Sequence, residues 1–243
     1  MEQNRSETPL YDAYRKFMAN PGTPFTVPGH KRNPELIDPL LAQDAPHYCG
    51  VEDRRVSTRR LAAGEALAAE LWGADWCGFS VQGSTHGNEA MALTLGKPGD
   101  KVIIARTLHK SMFFGLVLAG LQPVWVRPDI DAETGLTAGM SVRRIEQALQ
   151  QHPDVKGIML VEPSYVGGVS NVKAIADAAH AHGIPLVVDA AWGGHLGFHP
   201  DLPLNAIQSG ADALVTSVHK HLTGFTQSSL VLAQGRYLDI GRL

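Results

Sequence analysis

Several features that would direct a chain to a particular compartment are absent from this sequence. Its 243 residues include two cysteines, Cys49 and Cys77, which form no CxxC pattern, so we expect free, buried thiols in a reducing compartment. The N-terminus, MEQNRSETPLYDAYRKFMAN, has no continuous apolar stretch typical of a secretory signal. No window approaches the roughly 18 uninterrupted apolar residues of a membrane span. These absences predict a cytoplasmic protein.

The sequence also lacks a basic cluster and the usual nucleotide-binding motifs. The formal net charge is −3, and the arginine pairs at 54–55 and 59–60 have acidic neighbours, which argues against nucleic acid as the main partner. There is no GxGxxG, and GLVLAGLQ has GxxxxG spacing without the following Lys and Ser/Thr. ATP and NAD are therefore disfavoured as ligands.

Metal ligation and serine hydrolysis lack their sequence signatures as well. Among eleven histidines, three pairs have ligand-like spacing, namely His195/His199, His180/His182 and His219/His221. No HExxH motif and no cysteine partner accompanies them, so we expect no metal site. GSTHG places Ser84 at the wrong offset for the GxSxG motif of serine hydrolases.

What the sequence does contain is a regular alternation of apolar runs and amphipathic segments from residue 77 onward. Seven runs are strand candidates: CGFSVQ, KVIIA, PVWVRP, GIMLVEP, PLVVDA, ADALVTSV and SSLVLAQ. Apolar strands that alternate with helices, one of them over 87–96, predict an α/β fold of three layers with a mostly parallel sheet. The last run follows its neighbour without an intervening helix, so we expect it to be antiparallel.

The first part of the chain differs in composition, because it is rich in proline and turn residues. It predicts a short helix over 9–19 and an irregular arm up to about residue 50, followed by a second helix over 57–72. We therefore expect an N-terminal helix and arm over 1–50 and the main domain over 51–243. The sequence stops shortly after the last strand, so we expect it to contain the main domain without a second, smaller one.

Polar residues follow the first predicted strand, at the edge where open α/β sheets bind ligands. In VQGSTHGNEA, Gly83 allows a sharp turn and a helix begins soon after, so the free N–H groups suit a phosphate beside Ser84 and Thr85. A simple helix cap by either hydroxyl explains the same residues without a ligand. Both interpretations stay open on this stretch alone.

Two further strand ends carry ionisable residues. Asp189 ends the fifth run, either as a cap for the following turn or as a charge aimed at a ligand, and the sixth run leads to Ser217, His219 and Lys220. Asp189 and Lys220 are 31 residues apart, one crossover, which places them on neighbouring strands. A phosphate anchor, a carboxylate and an imine-forming lysine at one sheet edge are the set that pyridoxal 5'-phosphate (PLP) requires.

With these residues in place, the sequence resembles the major domain of the bacterial ornithine/lysine/arginine decarboxylases, PLP enzymes of the aspartate-aminotransferase fold (fold type I). The resemblance runs from about Pro9 to the end of the chain. It is carried by TPFTVPGHKRN, VQGSTHGNEA, RTLHKS, VDAAWGGHLGFHPDLP and TSVHKHLTGFTQSS. Some family members have Asp-Glu-Ala-His where this chain reads DAAW from Asp189. The family's C-terminal small domain and the N-terminal regulatory domain of its larger members are absent from this sequence.

The resemblance implies a role for eight residues. Lys220 would hold PLP as the internal aldimine, Asp189 would pair with the pyridinium nitrogen, His109 would stack on the ring and Trp192 would approach its 3-hydroxyl group. The implied phosphate ligands are Ser84, Thr85, Ser217 and His219. The implied reaction is decarboxylation of lysine, arginine or ornithine to an amine and CO2, with His109 or Lys220 as proton donor at Cα, in a homodimer or larger assembly.

Two alternatives stay open beside this interpretation. One is another PLP enzyme of the same fold, such as an aminotransferase or a lyase, since fold does not fix reaction. The other is an inactive fragment or partner subunit. The His-Lys dipeptide occurs three times, and only the pair ending in Lys220 has a predicted covalent role; Lys110 is expected to begin a helix and face elsewhere, and no role follows for His30 and Lys31.

Overall fold

The computed structural model describes residues 6–20, 22–23, 31–33, 35, 38, 40, 43 and 59–243. The chain divides into two compact units, Met1–Ala68 and Ala69–Leu243. In the first unit, α1 (Pro9–Ala19) begins with proline, whose missing N–H costs nothing at a first helical position. The range of α1 confirms the helix predicted over 9–19. The domain boundary predicted near residue 50 lies outside the described residues, as do His30 and Cys49, and stays a prediction.

The helix predicted over 57–72 is α2 (Arg60–Trp72), whose residues are largely the helix formers alanine, leucine and glutamate. Residues 57 and 58 lie outside the described residues. Within the described part of the chain, no helix combines the length and apolarity needed to cross a membrane.

Each of the seven predicted runs overlaps one strand of a single sheet, and the first and third strands begin one residue before their runs. The strands are β1 (Trp76–Ser80), β2 (Lys101–Ala105), β3 (Gln122–Val126), β4 (Ile158–Val161), β5 (Leu186–Asp189), β6 (Ala213–Ser217) and β7 (Ser229–Ala233). Their order across the sheet is β1-β7-β6-β5-β4-β2-β3. β7 is antiparallel to both its neighbours. The other five strands, β2 to β6, are parallel to one another, and β3 lies at the edge of the sheet. The mostly parallel seven-stranded sheet and its antiparallel last strand are therefore confirmed.

Both faces of this sheet are buried. Alternate strand residues, among them Ile104, Met159 and Val187, join the core formed with α3 (Gly83–Thr94) and α4 (Lys110–Ala119). The residues between them, such as Ile158 and Val188, must point to the opposite face and are also fully buried. Two further helices contact the sheet: α5 (Val142–Gln151) packs on β2 and β3, and α6 (Val172–Ala181) packs on α5 and β5. Helices on both faces give the three-layer α/β/α fold.

The segment between β5 and β6 departs from the predicted alternation. The amphipathic stretch LNAIQSG, between the fifth and sixth apolar runs, forms turns over 206–210. The Asn205 side chain fixes these turns, since its Oδ1 accepts the Gln208 N–H at 2.9 Å and its Nδ2 donates to the Trp72 carbonyl at 3.3 Å. Gly210, with φ of +100°, ends the stretch before a helical turn can repeat.

The packing of α3 on the sheet depends on Gly87. A Cβ atom there would lie 2.5 Å from Val215 Cγ2 and 2.8 Å from Val231 Cγ2, on β6 and β7. Alanine at this position gains helix propensity but forces the helix away from the sheet, so we expect Gly87→Ala to lower the free energy of unfolding by about 1–3 kcal/mol. Urea unfolding measures the change. Gln147→Ala, on the exposed face of α5, is the control and should stay within about 0.5 kcal/mol of wild type.

Candidate active site

The start of α3 brings the first pair of predicted residues to the sheet edge. The helix begins at Gly83, four residues earlier than predicted, so Ser84 and Thr85 lie in its first turn. The residue before the helix is Gln82, and no side chain caps it, so the interpretation of Ser84 or Thr85 as a simple cap is wrong. Instead, Ser84 Oγ lies 2.7 Å from Ser217 Oγ, which joins α3 to the end of β6.

Asp189 ends β5 as a buried carboxylate, with 3% of its surface exposed. Its Oδ2 accepts a hydrogen bond from Asn88 Nδ2 at 2.8 Å, and its Oδ1 accepts the Ala191 N–H at 3.1 Å. Burial raises the pKa of the Asp189 carboxyl above its ordinary value. The Asn88 and Ala191 hydrogen bonds oppose this rise in pKa, as does positive charge on Lys220 or on a protonated His109.

Lys220 follows β6, the strand paired with β5, which confirms the predicted neighbourhood of the two strands. Its Nζ lies 4.5 Å from the ring centroid of Trp192. Burial lowers the pKa of the Lys220 amine below its ordinary value, and the charge of Asp189 opposes this shift in pKa. A lower pKa increases the neutral, nucleophilic fraction of the amine.

His109 is the residue before α4 and caps that helix. Its Nδ1 accepts the Ser111 backbone N–H at 3.3 Å and lies 2.8 Å from Ser111 Oγ. The following residue, Lys110, begins α4 and is exposed, as expected. On the neighbouring loop, His219 Nδ1 lies 3.1 Å from the Ser228 carbonyl oxygen, to which it must donate, and this bond fixes the ring against the strand β7.

A cavity of about 500 Å³ at the carboxyl edge of the sheet brings all eight predicted residues together. They are Ser84, Thr85, His109, Asp189, Trp192, Ser217, His219 and Lys220. Other lining residues, including Asn88, Tyr165 and Gln227, were not predicted from the sequence. Asn88 follows Ser84 by one helical turn, a spacing that predicts a shared face. Tyr165 follows β4, so the strand-end rule applied to every strand would have found it.

Aromatic rings form one side of the site. The Tyr165 and Trp192 rings meet edge to face at 5.6 Å between centroids, and the Trp192 and His221 rings meet at 5.3 Å. His221 also lies 4.8 Å from His195, whose pKa is lowered by burial and by the charge of His221. Of the histidine pairs considered as metal ligands, His180 instead bonds Asp212 at 2.9 Å. In the described part of the chain, no group of three metal-ligating side chains comes together.

The family model of the Orn/Lys/Arg decarboxylase major domain matches residues 8–239. The chain belongs to the Orn/Lys/Arg decarboxylase family. The arginine decarboxylase of Bacillus subtilis (strain 168) is 37% identical over 236 residues, which cover 94% of this chain and 48% of that protein. This family member therefore spans about half the length of the curated relatives that it matches. The resemblance seen in the sequence is confirmed.

Solved structures show the same fold. Lysine decarboxylase A from Pseudomonas aeruginosa has a TM-score of 0.79 at 21% identity, over 96% of this chain and 36% of that chain. The pyridoxal-5'-phosphate dependent protein YhfS from Escherichia coli has a TM-score of 0.58 at 14% identity, over 74% of this chain and 45% of that chain. The chain therefore shares its α/β fold with both solved structures.

A second buried carboxylate supports the loop that carries Tyr165. Glu162 follows β4 and is 5% exposed, and its two oxygens accept the Ser170 backbone N–H at 2.9 and 3.0 Å. Burial raises the pKa of Glu162 from 4.5 to about 7, although the Ser170 hydrogen bonds oppose the rise. Glu162 thereby joins the two ends of the loop over 162–170 through a group that titrates near neutral pH.

The raised pKa of Glu162 predicts that the free energy of unfolding falls as the pH rises from 4.5 to about 7. The folded chain holds a proton that the unfolded chain has released in this range, so folding is favoured at the acidic end and this contribution is lost at higher pH. The loss is on the order of 3 kcal/mol, at about 1.4 kcal/mol per unit of pKa. Glu162→Gln keeps an acceptor for Ser170 but cannot ionise, and should flatten the dependence.

Urea unfolding of wild type and Glu162→Gln at about pH 5 and about pH 8 provides the measurement. The control is Glu146→Gln on the exposed face of α5, which should keep the wild-type dependence. Equal pH dependence in wild type and Glu162→Gln would contradict the assignment.

Proposed function

We propose that this chain forms the cofactor-binding part of a PLP-dependent decarboxylase that acts on a basic amino acid. The observation that carries the proposal is the placement of buried Asp189 and of Lys220 at the ends of adjacent strands, in one cavity. Their charges interact, since each opposes the shift in the other's pKa. A carboxylate for the pyridine nitrogen and a lysine amine for the aldehyde are the pair that PLP uses in enzymes.

The chemistry of the cavity fits PLP, which has a phosphate, a pyridine nitrogen and an aldehyde. The hydroxyls of Ser84 and Ser217 lie beside the first turn of α3, where N–H groups without helical partners favour an anion. Asp189 offers a carboxylate for the pyridine nitrogen, and Lys220 offers an amine for the aldehyde. A volume of about 500 Å³ suits a small cofactor with part of a substrate.

When bound, PLP supplies an acceptor for the electrons released by bond cleavage at the substrate Cα. The residues of the chain provide orientation and electrostatics. Asp189, held by Asn88 and Ala191 in a buried site, would keep a proton on the pyridine nitrogen. Lys220 would hold the cofactor through its side-chain amine.

Protonation at Cα after loss of CO2 requires a donor in the cavity. The candidates are His109 and Lys220, both of which line it. His109 would also provide the ring that stacks on the cofactor. Thr85 and His219 complete the phosphate ligands, and Trp192, whose ring faces Lys220 Nζ at 4.5 Å, would lie near the 3-hydroxyl group.

Among basic amino acids we propose arginine as the first substrate to test. The support is the name of the relative that is 37% identical to the chain, an arginine decarboxylase. The family name also includes ornithine and lysine, so both belong in the same assay. We further expect a homodimer or larger assembly in the cytoplasm, which stays a prediction.

Covalent PLP binding is tested by replacing Lys220. The purified chain mixed with PLP should show a visible absorbance band, and borohydride reduction followed by peptide mass spectrometry should place the label on Lys220, because its amine has a lowered pKa and lines the cavity. Lys220→Ala should lose both signals. Lys110→Ala, from another His-Lys pair with an exposed lysine, is the matched control and should keep them. A label on a different lysine, or an unchanged band in Lys220→Ala, would refute the assignment.

The reaction is tested by following both possible products. Arginine, lysine and ornithine labelled at the carboxyl carbon are incubated with the PLP-loaded protein, and we expect labelled CO2 and an equal amount of the amine from at least one of them. An aminotransferase would instead yield a 2-oxo acid that keeps the label. Formation of the 2-oxo acid without amine, or the absence of any product from a chain that binds PLP covalently, would count against decarboxylation.

A further inference from the structure

Two buried residues, Asn88 and Ser111, connect His109 to the buried carboxylate at the end of β5. Asn88 and Ser111 are each 1% exposed, and Asp189 is 3% exposed. The single amide nitrogen of Asn88 lies 2.8 Å from Asp189 Oδ2 and 2.9 Å from Ser111 Oγ. An amide nitrogen carries two protons, so each of these oxygens receives one.

The direction of donation continues from Ser111 to His109. Ser111 Oγ accepts from Asn88 and lies 2.8 Å from His109 Nδ1. The Ser111 backbone N–H also reaches Nδ1, at 3.3 Å, and a backbone N–H can only donate. Nδ1 must therefore be an acceptor, and the Ser111 hydroxyl donates its proton to it. The neutral ring then carries its own proton on Nε2.

We propose that Asn88 and Ser111 are positioning residues that hold His109 in the tautomer with its proton on Nε2 and couple this ring to Asp189. The significance for catalysis rests on the proposed function, in which His109 lies against the cofactor. Beside the cofactor, the network would leave an N–H on His109 Nε2, because the Ser111 backbone N–H donates to the other ring nitrogen, Nδ1. A proton at that atom is the one available for transfer or for a hydrogen bond in the cavity.

The orientation of the Asn88 amide is set by its acceptors. If the amide were rotated by 180°, its oxygen would face a carboxylate oxygen and a hydroxyl that already uses its proton on His109, which is unfavourable. Among the described residues, Asn88 Oδ1 has no hydrogen-bond partner that would favour that orientation. The carboxylate of Asp189 therefore fixes the amide, the amide fixes the Ser111 hydroxyl, and the hydroxyl fixes the histidine.

Imidazole NMR on the full chain, without PLP or substrate, tests the proposal. The chain is labelled with 15N-histidine, two-bond 1H–15N correlations report the tautomer of each ring, and His109→Gln assigns the signal. We expect wild-type His109 to carry its proton on Nε2. Ser111→Ala should shift the tautomer ratio by about threefold to tenfold toward Nδ1–H, as expected for one lost hydrogen bond. Asn88→Ala should shift it in the same direction, because the freed Ser111 oxygen can then accept from Nδ1–H.

Two controls separate positioning from general destabilisation. Ser111→Thr keeps the hydroxyl and should keep the wild-type tautomer. Asn205→Ala removes another buried asparagine whose side chain makes two hydrogen bonds but does not line the cavity, and it should leave the His109 signal unchanged. A proton on Nδ1 of His109 in the wild-type chain would overturn the proposal. This outcome is read from the wild-type spectrum alone and does not depend on whether the variants fold. An unchanged ratio in both alanine variants would also overturn it.

The spectra distinguish this proposal from the proposed function. They are recorded without cofactor, so a chain that fails to bind PLP but shows the expected tautomers would contradict the proposed function alone. A chain that binds PLP through Lys220 but has its proton on Nδ1 of His109 would contradict only the proposal for Asn88 and Ser111.

Discussion

Removal of the Asp189 carboxylate from water is the constraint on which the site depends. A buried carboxylate is stable only with hydrogen-bond donors or a proton, and in this chain the donors are Asn88 and the Ala191 backbone N–H. Asn88 therefore belongs to the fold and to the site together. Because Ser84 lies one turn earlier on α3 and bonds Ser217, the same helix contacts the ends of both β5 and β6.

The close approach of α3 to the sheet makes these contacts geometrically accessible. Gly87 lies between Ser84 and Asn88 and has no side chain to separate the helix from Val215 and Val231. A larger residue would move the Ser84 and Asn88 side chains away from their partners. The stability of the core and the geometry of the cavity are thus set by one small residue, since protein interiors are packed too densely to absorb an extra methyl group without displacement.

Periodicity and strand-end reasoning predicted much of this structure from the sequence. The apolar runs located all seven strands because strands buried on both faces form short, continuous apolar segments bounded by turns, and the antiparallel direction of β7 followed from its short connection. The start of α3 and the turns after Asn205 were not predicted correctly, since helix boundaries and short amphipathic stretches depend on tertiary contacts such as the Gly83 N–H bond to the Gln227 carbonyl. Asn88 and Tyr165 were missed, although helical spacing from Ser84 and the end of β4 pointed to them. Their contacts with Asp189 and Trp192, by contrast, join residues distant in sequence and could not be read from it.

The reversal of direction at β7 has a consequence for the lysine. Ser217 pairs with Ser229, so the segment over 218–228 leaves the sheet and returns to it at one edge, and the Val218 N–H bond to Ser228 closes its base. In a parallel connection the chain after Lys220 would continue into a helix across the sheet. In this chain, the segment over 218–228 is instead a loop whose two ends are joined by hydrogen bonds. Lys220 lies two residues after the hydrogen bond at the base of the loop, so the closed base holds its backbone at the sheet edge where its amine lines the cavity.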